Sequence, residues 1–223
     1  MRFHLKSFRL PRSNQSPVLA AALLSLSVML APCQLFKPGG AHWIERDNRD
    51  SREAVELLKI YSVVKKGMDY AEDDSVWDVS KTIQKESKRH GLDPFLVLAI
   101  IKVESGFRHS AEAADGARGL MQIQPESAKS IAQERKSVYR ADKHAGADDP
   151  DLDNPIVNIK LGVFYLHSLK RNFQDLTLAL AAYNRGPTRV KNLLLEETDV
   201  PLEYATRVLS TYHGYRKNTR RFD

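Results

Sequence analysis

The chain has 223 residues, with 34 Lys and Arg against 28 Asp and Glu, a net charge of +6. That length suits one domain with extensions, and 42% hydrophobic with 28% charged residues excludes collagen, a wholly disordered chain and a polytopic membrane protein. The single cysteine, Cys33, excludes an intramolecular disulfide framework and a Cys-rich zinc site.

The basic excess sits at the two ends. Residues 1–33 hold Arg2, Lys6, Arg9 and Arg12 and no acid, giving +4; residues 214–223 carry +3; the 180 residues between carry −1. A neutral body argues against a nucleic-acid partner. Four positive charges ahead of the apolar run at 18–30 have the layout of a secretory signal. The run is shorter than the roughly 20 apolar residues that span a bilayer. No charge falls between Arg12 and Lys37, however, so residues 1–33 read as a signal peptide or a membrane anchor, with the rest of the chain exported. Leu30-Ala31-Pro32-Cys33 resembles the lipobox of bacterial lipoproteins, in which the Cys is acylated; Pro32 departs from the Gly, Ala or Ser usual there. Loss of this segment would leave a charge of +2. Residues 34–53, with Pro38-Gly39-Gly40 and then alternating charges, predict a linker.

The body reads as helices. Ala54, Leu57, Leu58, Tyr61, Val64 and Met68 recur at helical spacing and predict a helix over 51–69. Asp73-Asp74-Ser75 opens a second helix that stops at His90-Gly91. Asp93-Pro94 supplies an N-cap and a first-turn proline for a third, which is apolar almost all round through Glu104 and so belongs at a domain centre. Residues 105–124, with Gly106, Gly116 and Gly119, predict a loop or short strand. A helix over 126–133 follows, then a polar surface loop over 134–153. Asn154-Pro155 restarts a helix with Ile159, Val163, Leu166 and Leu169 inward. A nearly all-apolar helix over 176–184 ends at Gly186-Pro187, and short helices follow at 187–195 and 202–213, ahead of a basic tail over 214–223. The fold class is mainly α, with a domain at 54–213.

Glu104 stands out. A carboxylate ending an apolar central helix is costly to bury in its ionised form, which raises its pKa, and a carboxylic acid kept protonated near neutrality suits a general acid. The bland reading is a solvated residue at a helix end, and position alone favours it. A negative charge at a helix C-terminus is electrostatically unfavourable, which weighs mildly the other way.

The neighbouring sequence decides between them. Glu104-Ser105-Gly106-Phe107 followed by Gly116-Ala117-Arg118-Gly119-Leu120-Met121-Gln122 resembles the signature of soluble lytic transglycosylases. Asp153-Asn154-Pro155 with Asn158-Ile159-Lys160-Leu161-Gly162 and Tyr165-Leu166 is similar to that family's middle helix. Ala181-Ala182-Tyr183-Asn184-Arg185-Gly186-Pro187 resembles its Ala-Tyr-Asn-x-Gly motif, and Pro201-Leu202-Glu203-Tyr204 with Val208-Leu209 its last motif. Four ordered motifs over residues 75–213 form a specific pattern, where Gly-Leu-Met-Gln alone is weak.

The resemblance implies a lysozyme-like fold, with a short irregular or β segment after the catalytic helix, and cleavage of the β-1,4 bond between N-acetylmuramic acid and N-acetylglucosamine in peptidoglycan strands. It casts Glu104 as the acid and then the base, giving a 1,6-anhydromuramoyl end; a hydrolytic muramidase and an inert glycan-binding protein on the same fold are the alternatives. Ser105, Met121, Gln122, Tyr183, Asn184 and Tyr204 become candidate substrate-binding residues. By themselves Met121 reads equally as core filling, Ser105 as a hydroxyl bonding local carbonyls, and Tyr183 and Asn184 as core and cap. Gly116 and Gly119 would let backbone approach a sugar. Related enzymes often carry a Ser nine residues after the acid; here that position is Ala113, with Glu112 and Asp115 beside it, and Asp115 is a candidate substitute acting through a water. The pattern implies no cofactor, and His90, His109, His144, His167 and His213 lack metal-ligand spacing. The expected location is periplasmic or membrane-attached, with association through the N-terminus or the basic tail.

Overall fold

The computed structural model describes residues 40–68, 70–138 and 150–219. The export segment, Cys33, the start of the linker, His144 and the last four residues lie outside the described residues. The chain divides into two compact units, residues 1–50 and 51–223; of the first, the described part is the beginning of a helix, and the second holds everything discussed below.

Eight helices occur among the described residues: α1 (Gly40–Gly67), α2 (Asp73–Arg89), α3 (Pro94–Glu104), α4 (Pro125–Val138), α5 (Pro155–Phe173), α6 (Leu176–Arg185), α7 (Pro187–Leu195) and α8 (Glu203–Thr219). Their centre is α3. Asp93 caps it by accepting the Phe95 N–H at 2.9 Å, Pro94 fills the first turn, and every residue from Pro94 to Ile101 is buried. α3 packs against α8 and α2, α2 against α5, and α6 against α5, α7 and α8. Asn154 caps α5 in the same manner, accepting from Ile156 and Val157.

Four boundaries and faces differ from the sequence reading. α1 begins at Gly40, within the predicted linker; no Gly or Pro occurs between Ala41 and Lys66, so nothing interrupts the helix. Its inward stripe is Ile60, Val64 and Met68, whereas Leu58 is 59% exposed, because the stripe advances through 57, 60 and 64 and turns residue 58 to solvent. α4 continues five residues past 133, into the predicted surface loop. Arg135 continues its apolar stripe of Ala128, Ile131 and Ala132, and its guanidinium is buried against the equally buried Glu86 at 3.4 Å. α8 runs on through Thr219 and takes in the first half of the predicted tail. The Tyr212 hydroxyl donates to Asp93 Oδ2 at 2.9 Å, Tyr215 packs on the core, and Arg216 lies 3.6 Å from Asp93 and 5.7 Å above the Phe95 ring. These contacts seat the segment on the N-terminal end of α3 rather than leaving it loose.

Candidate active site

Glu104 is the last residue of α3. The chain leaves the helix sharply there, with Gly106 (φ 61°) and Phe107 (φ 71°) both left-handed, and Phe107 buried with its carbonyl accepting the Tyr70 hydroxyl at 2.6 Å. Residues 111–123 then fold back as an irregular hairpin. Its ladder is two isolated antiparallel bridges, Glu112 with Arg118 and Arg118 with Ile123. Ser105 ties hairpin to helix: buried, its hydroxyl has Leu120 O at 2.8 Å and Ile101 O at 3.2 Å as acceptors for its one proton, and accepts the Phe107 N–H.

The hairpin hangs on Asn158 of α5, an entirely buried amide. Its Oδ1 accepts the Met121 N–H at 2.8 Å, and its Nδ2 donates to Arg118 O at 2.9 Å and Leu152 O at 3.0 Å. Gly119 (φ 80°) passes so close to this amide and to the Leu152 carbonyl that a Cβ would overlap both. The close approach that demands glycine here is therefore to protein, and Gly119 itself is buried. Gly116 has open space instead. Asn158 was legible only as part of a motif. The signal is its place at i, i+4, i+8 with Gly162 and Leu166 on one helix face, where an amide needs internal partners.

α8 completes the surroundings of the carboxyl. The Tyr204 hydroxyl, on a nearly buried ring, donates to Glu104 Oε1 at 2.6 Å. Burial holds the Glu104 carboxyl above the usual carboxylate range; the Tyr204 hydroxyl and the positive charge of Arg207 pull it back, and the Asp115 carboxylate pushes it further up. Burial, and then the charge of Glu104, hold the Tyr204 and Tyr183 phenols well above theirs. Both tyrosines therefore stay neutral donors. Arg207 carried no signal in the sequence motifs; its position one turn after Tyr204 reveals it.

The remaining candidates separate. Tyr183 is buried at the end of α6 and donates to Met121 O at 3.0 Å, with the Tyr165 ring 5.4 Å away. Its hydroxyl braces the hairpin. Met121 has no exposure and its side chain lies against Gly162, where an added Cβ would meet the sulfur at 2.5 Å. In this structure it packs the hairpin onto α5, the tight surface at Gly162 drawing the thioether inward. Gln122 (φ 48°) turns its amide back on the hairpin, donating to Ala111 O at 3.0 Å and Gly119 O at 2.9 Å, which leaves its Oε1 as the group available to a ligand. Asn184 is exposed and lines a cavity of about 240 Å³ together with Gln122, Gln124, Tyr165, Tyr183 and Arg185. Glu104 is not among that cavity's walls; the two are linked through the hairpin and the buried Tyr183. Ala113 and Asp115 are exposed at the hairpin tip.

A model of the transglycosylase SLT domain family matches residues 81–201, more than half of the chain. The chain belongs to the transglycosylase SLT domain family. Membrane-bound lytic murein transglycosylase C of Histophilus somni is 30% identical over 148 residues, covering 59% of this chain and 39% of that protein. Two solved structures are similar. One is an inactive Glu-to-Gln mutant of the lytic transglycosylase Slt from Pseudomonas aeruginosa, 30% identical with a TM-score of 0.50 over 63% of this chain and 24% of that one. The other is the 70 kDa soluble lytic transglycosylase of Escherichia coli, 25% identical with a TM-score of 0.50 over 61% and 24%. This SLT domain protein thus has the mainly α, lysozyme-like fold, and spans about two-fifths of the first relative and a quarter of the other two. Among its described residues no group of three or more His, Cys, Asp and Glu side chains could hold a metal ion, and no helix is long and apolar enough to cross a membrane.

Proposed function

We propose that this protein is a peptidoglycan lytic transglycosylase that cleaves the β-1,4 bond between N-acetylmuramic acid and N-acetylglucosamine without water, leaving 1,6-anhydromuramoyl ends. The observation that carries the reading is one carboxyl, Glu104, which burial raises above the usual carboxylate range and which accepts a 2.6 Å hydrogen bond from a neutral Tyr204. The names of the three relatives and the family of the domain support the same chemistry.

Glu104 gives its proton to the leaving glycosidic oxygen as an oxocarbenium-like centre develops at C1. The substrate's own acetamido carbonyl supports that centre, a role that the other carboxylate near Glu104, the exposed Asp115, is not enclosed enough to take. Glu104 is then an anion, stabilised by the Tyr204 hydroxyl, which strengthens as a donor once its acceptor is charged. The carboxylate removes the proton from the C6 hydroxyl of the same sugar while O6 bonds to C1, and proximity favours this attack over water. Ser105, Asn158 and Tyr183 hold the hairpin that faces the carboxyl, and Gln122 and Asn184 present polar groups to the strand from the cavity beside it. The substrate places the protein outside the cytoplasmic membrane, and we assign residues 1–33 the task of sending or anchoring it there.

The test is mass analysis of fragments released from purified sacculi by the full chain. Anhydro ends are expected. Reducing ends would make the protein a hydrolytic muramidase, and no release would make it a glycan-binding module.

A further inference from the structure

α4 packs on α5, and both helices border their seam with residues at i, i+3, i+4 and i+7. On α4 these are Ser127, Ser130, Ile131 and Glu134; on α5 they are Tyr165, Ser168, Leu169 and Asn172. Side chains at that spacing ordinarily close a helix pair with an apolar stripe. Here Ile131 and Leu169 form a buried floor, 4% and 1% exposed, and the three serines beside it are too short to fill the space above. The seam stays open as a cavity of about 310 Å³.

This cavity shares two walls, Ile131 and Tyr165, with the cavity of about 240 Å³ that Gln122 and Asn184 line, so the two adjoin at Tyr165. Tyr165 is half-buried, with its ring 5.4 Å from that of Tyr183, and its hydroxyl bonds nothing among the described residues. It stands where a chain leaving the first cavity would enter the second, with a donor to offer.

The two cavities differ in charge. The first presents amides and phenols, and its cation, Arg185, lies 3.6 Å from Glu203. The second carries both signs on its own walls. Glu134 is exposed there and accepts the Ser168 hydroxyl at 3.4 Å, and Arg171 is exposed and makes no ion pair among the described residues. Neutral sugar rings have no use for a separate cation and anion. One part of peptidoglycan does: the lactyl ether of N-acetylmuramic acid carries a short peptide with free carboxylates and, on its diamino residue, a free ammonium.

We infer that the α4–α5 seam is a binding site for this peptide branch: the peptide of a muramoyl residue seated beside Gln122 and Asn184 runs past Tyr165 over the Ile131–Leu169 floor, with a carboxylate on Arg171 and the ammonium on Glu134. The inference rests on the proposed function for its ligand. It makes Tyr165, Glu134 and Arg171 specificity-determining residues, remote from Glu104, that select strands still bearing their peptides.

The experiment uses the full chain and two substrates, soluble strands from sacculi with their peptides intact and the same strands stripped by an amidase. The unmodified chain is expected to prefer the peptide-bearing strands about tenfold in kcat/KM. Arg171→Gln and Glu134→Gln each cut that preference about two- to fivefold, the size of an exposed charge pair, and Arg171→Lys keeps most of it. Lys170→Gln, which removes an exposed neighbouring charge outside the cavity, leaves the preference in place. The second readout needs no turnover: the peptide released by the amidase is titrated into the chain at millimolar concentration and followed by amide NMR. Shifts are expected at Ile131, Glu134, Tyr165 and Ser168, weakened in Arg171→Gln. No preference in the unmodified chain, equal losses on both strands (which would make the seam a further sugar site), or no shifts along the seam overturn the inference even if anhydro ends are formed. A chain that releases no fragments from either substrate overturns the proposed function instead, and the peptide titration then accepts or rejects the seam by itself.

Discussion

Gly119→Ala tests the scaffold that places the hairpin before Glu104. The new methyl meets two costs. At φ 80° an Ala is in the left-handed region, about 1–2 kcal/mol. The methyl also overlaps the Leu152 carbonyl oxygen and the Asn158 amide, whose Cγ would be 2.6 Å away. The carbonyl is backbone and cannot step aside, and the amide can move only by giving up bonds to Met121 N, Arg118 O and Leu152 O. At about 1 kcal/mol each those three bonds add about 3 kcal/mol, so the substitution should cost about 4–5 kcal/mol, near the top of the range for single changes. A domain of this size then melts about 10–20 °C lower. Gly116→Ala is the internal control: its φ is 82°, but nothing lies within 4 Å of the added methyl, so only the backbone cost of about 1–2 kcal/mol remains. Urea denaturation of both variants, with anhydro-end release measured alongside, reads the difference. Equal losses of stability would refute the assignment of Asn158 as the support of the hairpin.

Tyr204→Phe keeps the buried ring and removes the donor to Glu104 Oε1; a hydrogen bond to a charged group is worth about 1.5–3 kcal/mol, so turnover should fall about 10- to 100-fold and the alkaline limb of the pH profile should rise, both read by steady-state kinetics. Arg135→Ala takes its buried partner from the Glu86 carboxylate, leaving Arg89 at 3.0 Å, and should cost about 1.5–3 kcal/mol in urea denaturation, whereas Lys81→Ala, which breaks an exposed pair with Asp78, should cost less than about 1 kcal/mol. His90 is buried, and its burial, with His167, Arg135 and Arg89 alongside, lowers its imidazole to about 4. The unfolded chain therefore binds a proton below about pH 6.5 that the folded chain refuses. Stability should fall by about 2 kcal/mol as pH drops from about 6.5 to about 4, and His90→Gln should flatten that part of the curve in denaturation experiments.

The helical framework was legible because its start signals are local. An oxygen-bearing side chain before a proline, at Asp93-Pro94 and Asn154-Pro155, caps a helix with atoms two residues away, and no distant partner is needed. Glu104 was legible for the same reason, as an acid at the end of eleven consecutive residues that otherwise include one other charge, Lys102. What failed to show depended on partners far along the chain. Arg135 reads as a surface charge until Glu86, 49 residues earlier, is seen to share its burial. The residues beyond Gly214 read as a tail until Asp93 is found receiving both Tyr212 and Arg216. Met121 reads equally as a sugar contact or as core filling, and its packing on Gly162 shows only once α5 is in place. Arg207 belongs to no motif, and it draws notice only once Tyr204, one turn earlier on α8, is seen to bond the Glu104 carboxyl.

The most direct test of the account is release of anhydromuramoyl ends from purified sacculi by Glu104→Gln. The amide keeps the shape of the side chain but can neither donate the proton nor take it back. The account predicts a fall of about 10²- to 10⁴-fold, with the thermal midpoint and the amount of protein retained on sacculi close to those of the unmodified chain. Release near the unmodified rate by that folded variant would contradict the assignment of Glu104 as the acid and, with it, the mechanism.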